Sequence, residues 1–146
     1  MKIVVLVGLP GSGKSTWLES IAANALSSDA LRKVLADDET DQTIHGQVFE
    51  TLRYLLRQRL ILGRETTYID ATNLTPEERR PYIGMGRSYG CEVEAVFFDV
   101  PLEVCLERNR RRGRFVPEDA LRRMAEKLRP PTLAEGFSRV AAISGS

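Results

Sequence analysis

The chain has 146 residues, enough for one domain with a real core and too few for two. Hydrophobic residues at 42% and charged residues at 28% are the proportions of a soluble globular protein, and a net charge of +1 excludes nucleic-acid binding by bulk charge, so any such contact must use a local patch. Two isolated cysteines, Cys91 and Cys105, exclude a disulfide framework or thiolate metal cluster and are expected to be buried, reduced thiols.

Ile3-Val4-Val5-Leu6-Val7 is a continuous apolar run that reads as a buried parallel strand. It is too short for a signal-peptide core or a membrane span, so no membrane partner and a cytoplasmic location are expected. Gly8-Leu9-Pro10-Gly11-Ser12-Gly13-Lys14-Ser15 follows and fits G-x-x-x-x-G-K-[ST], with helical spacing from Thr16 to Ala23 beyond it. Gly8, Gly11 and Gly13 let a phosphate approach the main chain, whose successive N–H groups form an anion nest at a helix start. Lys14 supplies an ammonium to the β- and γ-phosphates, and the Ser15 hydroxyl can ligate Mg²⁺.

Ala25 to Asp29 reads as a short strand, and a helix begins at Asp29. That acid is either the helix N-cap or a group at the carboxyl edge of the sheet, where open α/β sheets bind ligands. After an acidic turn from Ala36 to Asp41, a long amphipathic helix is expected from Gln42 to Leu62, closed by Gly63. Its buried side carries Val48, Leu52, Leu55, Leu56 and Leu60, and His45, the only histidine, is expected at the surface. Thr66 to Asp70 is the next strand. Asp70 either reaches Mg²⁺ through water or satisfies backbone donors in its own loop. A helix follows from Thr75-Pro76 to Gly90, then a core strand from Glu92 to Val100.

Pro101 opens a helix that runs into Arg108-Asn109-Arg110-Arg111-Arg112-Gly113-Arg114. Cations favour a helix C-terminus, but five guanidiniums in seven positions exceed that need and suggest a phosphate-facing lid ended by Phe115-Val116-Pro117. A helix from Glu118 to Leu128 and an edge strand from Phe137 to Ile143 complete the chain. Trp17 is expected to pack into the core from the first helix. Residues 1–146 therefore read as a single phosphate-loop domain, a three-layer α/β/α sandwich around a mostly parallel sheet.

The pattern resembles the 5′-hydroxyl polynucleotide kinases and, more broadly, the small kinases of the same phosphate-loop group. Matching segments are Gly8 to Trp17, Asp29 with Arg32, Asp70-Ala71-Thr72-Asn73 before Pro76-Glu77-Glu78-Arg79, Phe98 to Pro101, Arg108 to Gly113, and Val116-Pro117. One branch of that family has its acid abutting the Thr-Asn pair, whereas Ala71 follows Asp70 here.

The resemblance implies an adenylate-kinase-like fold with a short arginine-rich lid, with ATP and Mg²⁺ as cofactors. It implies that Asp29 is the general base, with Lys14 and Arg112 as the other catalytic groups. ATP would be held by Gly8, Pro10, Gly11, Ser12, Gly13, Lys14, Ser15, Thr16, Arg108 and Arg112. Asp29, Arg32, Thr72 and Val116 would line the acceptor site, and Ser15 and Asp70 would hold the metal. The implied partners are a nucleoside triphosphate and a single-stranded or end-exposed nucleic acid, whose 5′-hydroxyl accepts the phosphoryl group. Two alternatives are a small-molecule kinase acting on a sugar, antibiotic or nucleotide-sugar alcohol, and a nucleotide-dependent regulatory binding module.

Overall fold

The computed structural model describes residues 1–112 and 116–145, so Gly113, Arg114 and Phe115 of the expected lid lie outside the described residues. Strands and helices alternate as β1 (Lys2–Val7), α1 (Lys14–Ser20), β2 (Ala25–Ser27), α2 (Ser28–Ala36), α3 (His45–Ile61), β3 (Thr66–Asp70), α4 (Pro76–Tyr89) and β4 (Glu92–Asp99). Then come α5 (Leu102–Arg111), α6 (Glu118–Lys127), a 3-10 turn at Leu133–Glu135, and β5 (Arg139–Ser144). The sheet order is β2-β3-β1-β4-β5, with every pairing parallel. The three-layer α/β expectation holds, and among the described residues no helix is long and apolar enough to cross a membrane.

β1 lies at the centre of the sheet, which is why its five apolar residues run without a polar break: both faces are covered. Ile3, Val5 and Val7 face a core built with Leu52, Leu56 and Leu60 of α3 and Tyr82 and Ile83 of α4. Val4 and Leu6 point the other way, against Leu18 of α1 and Phe98 of β4. Trp17 is half-buried there and meets Tyr68 and Phe98 edge-on, with centroids 6.0 and 5.8 Å away. A third cluster joins Leu9 of the phosphate loop and Leu74 to Cys105, Leu106 and Leu121 of α5 and α6. Full burial of one such aliphatic side chain contributes about 1.5–3 kcal/mol. The third cluster therefore anchors α5 and α6 over the end of the sheet that carries the loop.

Several boundaries differ from the sequence expectation. α2 is capped by Ser27, whose side chain accepts from the Ala30 amide at 3.2 Å, so Asp29 is not the N-cap but a first-turn residue. α3 starts at His45 rather than Gln42 because Asp38 and Asp41 each bind the amide two residues on, at 2.9 and 2.8 Å, competing with the helix. Of the two free thiols, Cys105 is buried but Cys91 is only half-buried. His45 is exposed against Phe49, as expected for a surface residue. β5 is parallel and pairs with β4 at the sheet edge.

Candidate active site

The phosphate loop joins the central strand β1 to α1. Gly11 and Gly13 have φ of +83° and +101°, a backbone region that side chains rarely adopt, and a Cβ on Gly11 would sit 3.2 Å from the Cys105 carbonyl oxygen. Gly8 is needed for a different reason. Its φ is not positive, but a Cβ would meet Ser12 Oγ at 2.6 Å and Phe98 Cβ at 3.0 Å. Lys14 Nζ donates to the carbonyls of Gly8 and Leu9, at 2.9 Å each, which aims its ammonium into the loop. Burial pushes the Lys14 pKa down to about 8; Asp70, Asp29 and Cys105 oppose that shift, and Arg112 adds to it. Asp70, Asp29 and Arg112 therefore all lie within electrostatic reach of one ammonium.

The first-turn amides of α1, Lys14 to Thr16, have no carbonyl of their own helix to bind, and among the described residues no side chain caps Gly13. Ser12 Oγ is buried without a hydrogen-bond partner among the described residues. Pro10 is half-buried, while Ser15 and Thr16 are exposed at the helix start. Open amides, an aimed ammonium and glycine positions closed to Cβ fit a triphosphate. Asp70 ends β3 half-buried; burial raises its pKa, Lys14 lowers it, and Asp29 raises it further. Mg²⁺ takes one or two protein oxygens beside phosphate and water, so Ser15 and Asp70 suit it. Among the described residues no group of three metal-ligating side chains forms a dedicated cage.

β2 pairs with β3 so that Ser27 stands beside Asp70, which brings the start of α2 next to the acid of β3. Asp29 projects from that start with its side chain 77% exposed. One turn on, Arg32 is only 4% exposed. Its Nη1 donates to Asp29 Oδ1 at 3.3 Å, and its Nε has no partner among the described residues.

α5 supplies Arg108, whose Nη1 donates to the Gly11 carbonyl at 2.9 Å, and Arg112, exposed at its C-terminus. The lid reading narrows at Arg110 and Arg111. Arg110 grips Glu118 through two bonds of 2.9 and 3.0 Å, and Arg111 donates to Glu107 at 3.3 Å. Val116 is half-buried, fixed by Asn109, whose Nδ2 donates to the Val116 carbonyl at 2.7 Å and whose Oδ1 accepts from the Val116 amide at 3.3 Å.

Sequence reasoning missed what the corner after β3 does. Thr72, expected at the acceptor, uses its carbonyl to accept the Gly8 amide at 3.0 Å. Asn73 is buried at φ +48°, and its Nδ2 donates to the Leu6 carbonyl at 2.7 Å. Arg79, fully buried, donates from Nη1 to the Asn73 carbonyl at 2.8 Å. Its Nε and Nη2 hold Glu135 bidentately at 2.8 and 2.9 Å. The available signal was Thr132-x-x-Glu135, a capping-box spacing that the structure realises.

A family model described as an AAA domain matches residues 3–131. The chain belongs to that family. It is 23% identical over 136 residues to the L-seryl-tRNA(Sec) kinase of Methanococcus maripaludis, covering 88% of this chain and 53% of that protein. It is 25% identical over 147 residues to the bifunctional polynucleotide phosphatase/kinase of Schizosaccharomyces pombe, covering 97% of this chain and 33% of that one. The chain thus spans about half the length or less of these curated relatives. The structure of the Mycobacterium tuberculosis APS kinase CysC in complex with AMPPNP and APS superposes with a TM-score of 0.61 at 21% identity, covering 99% and 90% of the two chains. The AAA domain here thus has the phosphate-loop kinase fold. Kinases are among its relatives.

Proposed function

We propose that this domain transfers the γ-phosphoryl group of ATP to a 5′-hydroxyl at a nucleic-acid end. The observation that carries the acceptor reading is the pair Asp29 and Arg32, an exposed carboxylate one turn from a buried guanidinium with an unused donor. A buried cation is costly unless an anion completes it. In a polynucleotide, the phosphate beside the accepting sugar is such an anion; a neutral sugar offers none. The similarity to a polynucleotide phosphatase/kinase points the same way.

In this reading Asp29 accepts the proton of the 5′-hydroxyl as its oxygen bonds the γ-phosphorus. The bond from γ-phosphorus to the β–γ bridging oxygen breaks, and ADP leaves. Lys14 and Arg112 meet the charge on the transferring group, and Arg108 braces the loop through Gly11. Mg²⁺, held by Ser15 and Asp70, would supply further neutralisation of the phosphate oxygens.

A small-molecule alcohol is the second acceptor reading. It is favoured by Arg110 and Arg111, which are spent on Glu118 and Glu107 rather than lining the basic groove that single strands use. The deciding experiment incubates labelled ATP and Mg²⁺ with a 5′-hydroxyl oligonucleotide, alongside Asp29→Ala. Label on the oligonucleotide with wild type alone, with ATP binding retained by the variant, is the expected result. Label on a sugar alcohol but not on the oligonucleotide would replace the acceptor. Near-normal turnover by Asp29→Ala would remove the base assignment.

A further inference from the structure

We propose that Arg79 is a positioning residue for the phosphate loop, acting through Asn73. This rests on the reading of that loop as the nucleotide site, though not on which alcohol accepts. The loop begins where β1 ends, and two bonds from one corner straddle that junction. Asn73 Nδ2 holds the Leu6 carbonyl at 2.7 Å, and the Thr72 carbonyl holds the Gly8 amide at 3.0 Å. Gly8 in turn offers its carbonyl to Lys14 Nζ, so a shift of the corner displaces the ammonium as well as the loop.

The corner does not hold itself. Asn73 sits at φ +48°, a left-handed conformation uncommon outside glycine, though Asn tolerates it better than most residues, and a bond from outside the corner adds support. Arg79 supplies that support by binding the Asn73 carbonyl at 2.8 Å while its remaining edge is locked by Glu135. A buried ion pair is a poor source of stability compared with apolar packing of the same volume. The arrangement makes sense if the fixed guanidinium serves to define where a carbonyl lies. Lysine cannot take its place, because a single ammonium does not present the same planar fork to Glu135 and Asn73 together.

The test is ATP affinity measured without acceptor, with Mg²⁺, on the full chain and at a temperature well below each variant's own melting midpoint. Asn73→Gly keeps the left-handed backbone and the Arg79–carbonyl bond but deletes the tie to Leu6. It should stay folded and bind ATP at least about tenfold more weakly and, assayed separately with the acceptor that wild type labels, it should lose kcat as well as affinity. Arg79→Lys, which leaves Asn73 intact but loses the fork that fixes its carbonyl, should stay folded and weaken ATP binding in the same direction. Should Asn73→Gly fail to fold, Glu135→Gln carries the same test, since it keeps the shape and loosens Arg79. Folded variants with wild-type ATP affinity and kcat would overturn the positioning role. Wild type that binds no ATP would instead overturn the nucleotide reading of the site.

Discussion

Among the described residues two arginines are buried, following neighbouring strands, and they are treated in opposite ways. Arg79, after β3, is fully buried and uses Nε, Nη1 and Nη2 on Glu135 and Asn73. Arg32, after β2, is 4% exposed, makes one bond of 3.3 Å to the exposed Asp29, and leaves Nε without a partner among the described residues. A guanidinium is always charged, so burial penalises both. The first has been completed by the protein. The second has been left incomplete beside Asp29, and the proposed acceptor phosphate is the anion that would complete it.

If the contrast is real, truncation should separate the two sites. Arg79→Met strands Glu135 and the Asn73 carbonyl, and should cost about 3 kcal/mol of stability, seen as a lower urea midpoint at an unchanged slope. Equal tolerance of both truncations would erase the distinction. Arg32→Met loses one long hydrogen bond and removes an unsatisfied donor, so its stability should stay within about 1 kcal/mol of wild type.

The function of Arg32 should appear in kinetics instead. With acceptors that carry a phosphate next to the reacting sugar, Arg32→Met should raise the acceptor KM about ten- to a hundredfold, the worth of a hydrogen bond to a charged group. The KM for ATP should not move. Acceptors without that phosphate should show no such rise, and an equal loss for both kinds would end the acceptor-phosphate role.

The same contrast marks what was legible in the sequence. β1, the phosphate loop and α1 were readable because their signals are local: a continuous apolar run, glycines at set spacing, and helical periodicity. Asp29 and Arg32 were readable as a pair by resemblance, since one helical turn separates them. The burial of Arg32 was not, because an arginine on a short polar helix reads as solvated. Arg79 and Glu135 are 56 residues apart, and no periodicity announces a contact of that range. The Ser27 cap was missed for a simpler reason: three adjacent residues, Ser27, Ser28 and Asp29, were all acceptable caps, and only the path of β2 decides among them. Within the basic run, composition does not tell one arginine from another. Arg110 and Arg111 look alike to Arg108 and Arg112 in sequence but face carboxylates on α5 and α6.

The smallest expected effect concerns pH and belongs to the completed arginine. Burial pushes the Glu135 carboxyl upward, but hydrogen bonds from Arg79 and the Thr132 amide, with the Arg79 charge, outweigh it and leave the pKa below the ordinary glutamate value. A carboxyl depressed in the folded state adds stability that is fully present above its unfolded pKa, and that contribution is lost as pH falls through the folded value. The window therefore opens below the ordinary glutamate value, about 4.3, and neutral pH lies outside it. Urea midpoints of wild type and Glu135→Gln should differ by a constant amount from pH 7 down to the start of that window. Below it the gap should narrow, because protonated Glu135 and glutamine then present the same neutral group to Arg79. A gap that stays constant down to pH 3 would mean that Arg79 holds Asn73 without help from the Glu135 charge. The fork geometry alone would then fix the corner.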